Sequence, residues 1–212
     1  MSGPIDAITA IHNAFRKDME GIDAAALGMA RGEADQEQGL DRFRYFNEIL
    51  AIHAHGEEIA VFPVLEEVAP LVAEAYIDDH RGLDEAFEAL DAAVAAGDRL
   101  ATARAAAAFK FHLDIHLYKE DTHLYRIFGE RVPMPAQGEA VGIMAAQIPP
   151  ERQPDFILWM YPLLGDDDRE NMTRIQQMVL PPEAFAGVKQ LIRQAIGDDW
   201  AELTRRIPEL SA

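Results

Sequence analysis

The segment FHLDIHLYKEDTHLYRIF contains four side chains that could bind a metal ion: His112, His116, Glu120 and His123. At about 100° per residue, these four side chains fall on one stripe of a helix. Leucine and phenylalanine residues flank the stripe, which predicts that it faces a hydrophobic core rather than water. Burying four ionisable groups without partners would cost several kcal/mol each. Either protein groups or a metal ion must therefore compensate them.

An earlier segment, HAHGEEIAVFP, carries the same pair of residue types. His53 precedes Glu57 by four residues, just as His116 precedes Glu120. Residues four apart share one face of a helix, so each pair can present an imidazole and a carboxylate together. In both segments an aromatic residue follows the glutamate by five positions.

Two more histidines lie on apolar helix faces, His12 in ITAIHNAF and His80 in YIDDHRGLDEAF. One such histidine alone is more typical of a hydrogen-bonded core residue than of a ligand. Here every long helix predicted below contributes a histidine, and two of the helices also contribute a glutamate. Imidazoles and carboxylates on facing helices suit iron, manganese or zinc, and a bridging carboxylate offsets the repulsion between two cations.

Composition excludes several other kinds of site. The chain has 212 residues, no cysteine and a formal net charge of −18. The missing thiols exclude disulfides, thiolate zinc sites and iron–sulfur clusters. The negative charge disfavours nucleic acid and anionic membranes as partners. No apolar run is long enough to cross a bilayer and no signal-peptide pattern opens the chain, which predicts a cytoplasmic protein.

Helix-forming residues dominate the chain and alternating strand patterns are scarce, which predicts an all-α fold. The periodicity predicts four long helices, at about residues 5–31, 37–67, 71–97 and 98–128. Gly32, Gly97 and Gly129 are expected to end helices, and Pro63 to kink or end the second helix. Short connections between long helices favour an up-down-up-down four-helix bundle.

Prolines recur after Pro133, and the segments between them have the length of short helices. Proline in a first turn and acidic residues beside it support helices near these positions: 139–147, 154–164, 167–179, 182–196 and around Trp200. The sequence thus predicts a bundle at 1–132 and a C-terminal helical extension of unknown role at 133–212.

Four motifs follow one another along the predicted helices: His12 near the start of the first, H-x-x-x-E-E-x-x-x-F-P from His53, D-H-x-x-L from Asp79 and H-x-x-x-E-D-x-x-L-Y from His116. In this order, over residues 5–130, they resemble the hemerythrin-like, or HHE cation-binding, domain family. The resemblance implies a four-helix bundle that holds a non-haem di-iron centre.

Matching positions in the motifs imply a set of metal ligands: His12, His53, Glu57, His80, His116 and Glu120. The resemblance implies that the glutamates bridge two iron ions, themselves joined by an oxo or hydroxo group, with manganese or zinc less favoured.

This chain departs from the family pattern at two places. Oxygen carriers of the family have a second histidine on the third helix, where this chain has Tyr76 and Asp84, and Arg126 replaces a usual proline. The coordination shell of the metal ions is therefore expected to lack at least one of the family's protein ligands. The candidates that stay open are water and these side chains: Glu58, Tyr76, Asp84 and His112. A structural or outer-shell role is favoured for His123, and His55 is expected to point away.

The expected function is binding or reaction of a small oxidant, such as dioxygen, peroxide or nitric oxide, at a di-iron site. Peroxide decomposition or another di-iron oxidoreductase activity stays open. The alternative is an iron- or oxygen-responsive regulatory or binding module without turnover, and a metal-free helical interaction protein is the third interpretation. A homodimer or a protein partner could use residues 133–212.

Overall fold

The computed structural model describes residues 3–33 and 36–211, with the backbone alone for residues 36–41. All regular elements in this part of the chain are helical, which confirms the predicted all-α class. The α-helices are, in chain order, α1 Pro4–Arg31, α2 Gln36–Gly56, α3 Phe62–Val68, α4 Val72–Ala95, α5 Arg99–Lys119, α6 Tyr125–Arg131, α7 Met134–Ala145, α8 Gln153–Met160, α9 Asp166–Val179, α10 Pro182–Ile196 and α11 Trp200–Arg206. Across the described residues, no helix combines the length and apolar character needed to cross a membrane.

The second and fourth predicted helices are each interrupted by one π-helical turn. Glu57–Val61 separates α2 from α3, and Glu120–Leu124 separates α5 from α6. Pro63 lies in the first turn of α3, which directly follows the π-helical turn Glu57–Val61.

Two predicted boundaries are wrong. Gly129 does not end the fourth helix, because α6 continues through it to Arg131. The helix after Pro133 begins at Met134 rather than at residue 139, since the proline at its second position suits a first helical turn. The tail helices after residue 153 begin and end within a few residues of their predicted bounds.

The α4–α5 connection shows how local sequence sets a tight turn. Gly97 adopts a φ of 67°, a left-handed conformation that glycine reaches without strain. Asp98 then accepts hydrogen bonds from the backbone N–H groups of Leu100 and Ala101 at 3.1 and 3.0 Å, which caps α5. The turn returns α5 alongside α4, and these two helices pack along their length.

The chain divides into two compact units, residues 15–147 and residues 1–14 with 148–212. In the larger unit, Phe15, Phe46 and Phe109 from α1, α2 and α5 are completely buried. Their rings pack edge to face, with centroids 5.7 Å apart for Phe15 and Phe46 and 6.0 Å apart for Phe46 and Phe109. The predicted domain boundary after residue 132 stays a prediction.

The smaller unit has its own core of apolar side chains from α8, α10 and α11, including Met160, Ile192 and Leu203. Tyr161 is also completely buried. Its hydroxyl forms hydrogen bonds with the side chains of Thr173 and Gln176, at 3.1 and 2.8 Å. This unit therefore buries polar groups together with their partners.

Candidate metal centre

A cluster of ionisable side chains is buried in the larger unit. One ligand atom from each of four residues lies within 4.8 Å of the others; these residues are Glu57, His80, His116 and Glu120. His80 Nε2 is 3.4 Å from Glu57 Oε2 and 3.8 Å from Glu120 Oε1. His116 Nε2 is 3.3 Å from Glu120 Oε1. Both glutamates have no exposed surface.

His53 joins the same pair of carboxylates from α2. A ligand atom of His53 lies within 4.8 Å of one each from Glu57 and Glu120. The closest separation, His53 Nε2 to Glu57 Oε1, is 3.4 Å. Five of the six residues predicted as ligands are thus brought together in the larger unit.

His12 is the sixth predicted ligand and belongs to the smaller unit. It lies in the first half of α1 and is completely buried. Its role as a ligand stays a prediction.

Both glutamates stand at the first position of a π-helical turn. The N–H of Phe62 donates to the carbonyl of Glu57, and the N–H of Tyr125 donates to the carbonyl of Glu120. Each turn holds one residue more than an α-helical turn, and such turns recur at functional sites. Consequently the aromatic residue five positions after each glutamate returns to the face of the helix that carries the glutamate.

The two aromatic residues contact the cluster in different ways. The ring of Phe62 stacks on the imidazole of His80, with centroids 5.5 Å apart and 21° between the planes. The hydroxyl of Tyr125 donates a hydrogen bond of 2.5 Å to Glu57 Oε1. The five-residue spacing was visible in the sequence, but its structural role was not predicted.

One further carboxylate forms a hydrogen bond with the outer nitrogen of His80, and another lies near the outer nitrogen of His116. Glu58 Oε1 is 2.9 Å from His80 Nδ1, and Asp79 Oδ2 is 3.7 Å from His116 Nδ1. Lys119 pairs with Asp79 in turn. A carboxylate at Nδ1 fixes the orientation of an imidazole and leaves Nε2 available to bind a metal.

The pKa values of the cluster follow from burial and from mutual charge. Burial raises the pKa of Glu57, but the neighbouring imidazoles of His53 and His80 outweigh it and hold that pKa well below its usual range. Burial and the negative charge of Glu57 raise the pKa of Glu120 well above its usual range. Burial lowers the pKa of His80, yet the neighbouring carboxylates of Glu120, Glu57 and Glu58 raise it to about 11. Without a metal, the two carboxylates thus require protons as counter-charges.

The residues present fit a bound metal. Among the described residues, Glu57 Oε2 and His80 Nε2 are buried and have no hydrogen-bond partner. Each is an atom that coordinates iron, manganese or zinc readily. A divalent cation would replace the protons on the cluster and satisfy both atoms.

The predicted stripe is wrong for His112 and His123, which are exposed. The buried face of α5 is centred on Phe109, Leu113 and Leu117, and His112 lies about 100° from Leu113 around the helix. The stripe was predicted from the spacing of the ionisable residues alone. It was therefore centred to one side of this hydrophobic face.

Tyr76 and Asp84, which were left open as additional metal ligands, have different surroundings. Tyr76 is buried and donates to the carbonyl of Lys119 at 3.1 Å, while its hydroxyl also lies 3.0 Å from His123 Nδ1. This contact agrees with the structural role favoured for His123. Asp84 is exposed, and His55 points to solvent as predicted.

A small cavity of about 20 Å³ adjoins the cluster, and we call it the entrance cavity. Its lining consists of Asn47, Leu50, Ala51, His53, Ala54, His80, Leu83, Asp84 and His116. Three imidazole-bearing residues line it, whereas neither Glu57 nor Glu120 does. The cavity has room for about one water-sized molecule beside the histidines.

The chain is similar to two curated plant proteins from Arabidopsis thaliana. It is 25% identical over 187 residues to "Zinc finger protein BRUTUS", an alignment that covers 85% of this chain and 15% of the relative. It is 24% identical over 185 residues to "Zinc finger protein BRUTUS-like At1g18910", covering 78% of this chain and 15% of that relative. No protein-family model and no solved structure matches the chain.

The chain spans about 15% of the length of the curated relatives that it matches. In those proteins the matched region is therefore one part of a much longer chain. The alignments exceed the 132 residues of the predicted bundle, so the similarity includes part of the C-terminal segment. Because this chain has no cysteine, a zinc site with thiolate ligands cannot form within it.

Proposed function

We propose that the chain is a hemerythrin-like, non-haem di-iron protein that binds or reacts with a small oxidant. Its four long helical segments form a bundle around the site. Its metal ligands are His12, His53, Glu57, His80, His116 and Glu120. Dioxygen, peroxide and nitric oxide are the oxidants that fit such a site.

The observation that carries the proposal is the buried cluster around Glu57 and Glu120. Two carboxylates without exposed surface lie within 4.8 Å of each other, among imidazoles from three different helical segments. A purely structural core would have no reason to bury this charge, because hydrophobic residues of similar volume serve stability at least as well. Two carboxylates with imidazoles on both sides are the donor set of a dinuclear carboxylate site.

When bound, a pair of iron ions would supply reversible one-electron steps to the oxidant. The chain supplies the metal ligands, orients them and excludes water. Glu57 and Glu120, each close to more than one imidazole, would hold the ions together with these histidines, and Glu58 forms a hydrogen bond with the outer nitrogen of His80. Tyr125 orients Glu57 through its hydrogen bond. Phe15, which packs edge to face with His53 at 5.4 Å, helps to exclude water from the site.

The test is to load the chain with Fe²⁺ under anaerobic conditions, remove free iron, and record the visible spectrum before and after peroxide is added. We expect iron-dependent absorption that peroxide changes, together with consumption of peroxide. His53→Ala should abolish the response, and the exposed His55→Ala serves as the matched control on the same helix. A chain that binds no iron, or a response that His53→Ala leaves intact, would contradict the proposal.

A second candidate function is an iron- or oxygen-responsive module without turnover. It is favoured by the similarity to a region that forms only about 15% of much longer relatives, since sensing modules commonly occur as parts of larger proteins. On this alternative, iron should protect residues 133–212 from limited proteolysis, and each chain should consume no more peroxide than its iron can reduce once. Repeated turnover would favour an enzyme instead.

A further inference from the structure

The entrance cavity runs from exposed residues to the buried cluster. Ala51 and Asp84 are exposed, Asn47 and Ala54 are half-buried, and the histidines lie at the inner end. His53, His80 and His116 retain 8%, 4% and 3% exposure, whereas Glu57 and Glu120 retain none. The cluster is therefore reached from its imidazole side, with the carboxylates behind.

The outer end of the cavity carries one formal charge. Asp84 lies on α4 one turn after His80, and it forms no ion pair within the described residues. Asn47 lines the cavity from α2 and offers a neutral amide oxygen. A carboxylate at the mouth of a narrow cavity attracts cations and repels anions, and low-dielectric walls strengthen this effect.

The entrance cavity is narrow, and two of its lining residues have small side chains. Ala51 and Ala54 lie three residues apart on α2, and Leu50 and Leu83 complete the apolar lining. The cavity volume of about 20 Å³ accommodates one small ion or water-sized molecule at a time. The lining thus offers oxygen donors at the mouth and nitrogen donors at the inner end.

We propose that the entrance cavity is the route by which divalent metal ions reach the buried cluster, and that Asp84 and Asn47 hold the incoming ion transiently. This inference rests on the proposed function, because it assumes that the cluster binds metal. Asp84 is not a resident ligand in this account. Its carboxylate raises the rate of loading and leaves the final occupancy unchanged.

The test measures the rate at which the metal-free full chain takes up Co²⁺, followed by the visible absorption of bound cobalt in a stopped-flow instrument. Asp84→Asn removes the charge at the mouth with little change of shape. Glu85→Gln removes an equal charge from the neighbouring exposed position, which does not line the cavity. At low salt we expect Asp84→Asn to load about five- to tenfold more slowly than Glu85→Gln. The difference should shrink in 0.5 M salt, where screening is strong.

A second variant tests the route without changing charge. Ala51→Leu places a larger side chain at the mouth and should slow loading at both salt concentrations. Ala107→Leu makes the same change at an exposed position of α5 and should load like the natural chain. Circular dichroism of each metal-free variant verifies that the fold is retained.

Three results would contradict the inference, and they can be told apart. If the natural chain takes up cobalt and both mouth variants load at the control rates, the cavity is not the route. If Asp84→Asn lowers the final occupancy, Asp84 is a resident ligand rather than a transient one. If the natural chain takes up no cobalt or iron at all, the proposed function fails and the inference fails with it.

Discussion

The two compact units both bury polar side chains, but they compensate them differently. In the smaller unit, the guanidinium of Arg169 donates to the carbonyl of Tyr161 at 3.0 Å and to Asp199 at 2.8 Å. The hydroxyl of Tyr161 has side-chain partners as well. In the larger unit, Glu57 Oε2 and His80 Nε2 are buried without a hydrogen bond among the described residues.

This contrast separates a structural network from a cluster whose polar groups a bound metal would satisfy. A fully satisfied polar network stabilises one arrangement of the chain and leaves no donor or acceptor for a small molecule. The His/Glu cluster instead concentrates negative charge at the centre of a hydrophobic core, where the metal-free chain must supply protons to balance it. We therefore expect substitutions in the His/Glu cluster to change metal binding and substitutions in the smaller unit to change stability.

The largest effect is expected from Glu57→Gln combined with Glu120→Gln. Amide side chains keep the shape of the carboxylates but cannot balance two divalent cations, so binding of both ions should be lost. A Co²⁺ titration followed by visible absorption measures this. Glu67→Gln, at an exposed position of α3, is the control. Full cobalt binding by the double variant would show that the two glutamates do not hold the metal.

Arg169→Met should have the next largest effect, and on stability alone. It removes hydrogen bonds to the Tyr161 carbonyl and to Asp199, which should cost about 2–3 kcal/mol of the free energy of unfolding. Urea denaturation of the metal-free chain measures the loss. Iron content per folded chain should not change, and a large fall in iron content would break the proposed division between the units.

Tyr125 and Tyr161 place a buried hydroxyl in the larger and in the smaller unit, and matched substitutions should affect different properties. Tyr125→Phe removes the hydrogen bond to Glu57 and should weaken metal affinity about tenfold, as is typical of residues that orient a ligand. Tyr161→Phe removes an equally buried hydroxyl and should cost about 1 kcal/mol of stability without changing affinity. Competition with a chelator measures affinity in both. Equal affinity losses would mean that the hydroxyl of Tyr125 acts only through folding.

The smallest effect is expected from His112→Ala. The imidazole is exposed and contacts the neighbouring ring of Phe111, with centroids 6.3 Å apart. Its removal should leave metal content unchanged, whereas His116→Ala, one turn away, should reduce it. Elemental analysis of both variants after iron loading makes the comparison, and a loss of iron from His112→Ala would restore its candidacy as a ligand.

Sequence periodicity was sufficient for the all-α class and for most helix bounds, whereas the predicted ligand set rested on the resemblance of the motifs to a family. The pairs His53–Glu57 and His116–Glu120 could be predicted because α-helical spacing holds up to the glutamate in both segments. The spacing changes at the glutamates, where the two π-helical turns begin.

The π-helical turns explain what periodicity missed. At about 100° per residue, Tyr125 would lie roughly 140° around the helix from Glu120, far from the site. The i→i+5 bond returns Tyr125 to the buried face, where its hydroxyl contacts Glu57. Local sequence did not reveal that a longer turn would form, since this depends on packing between helices. The rotated stripe at His112 has a simpler cause, because the apolar residues Leu113 and Leu117, not the histidines, determine which face is buried.

The most direct test of the central claim is the iron content of the full chain, loaded anaerobically with Fe²⁺, freed of excess iron and measured by elemental analysis against protein concentration. We expect about two iron ions per chain. We further expect this number to fall to none in the Glu57→Gln, Glu120→Gln double variant and to be unchanged in Glu67→Gln. A natural chain that keeps its helical fold and retains no iron would contradict the account, and the buried His/Glu cluster would then be a structural one.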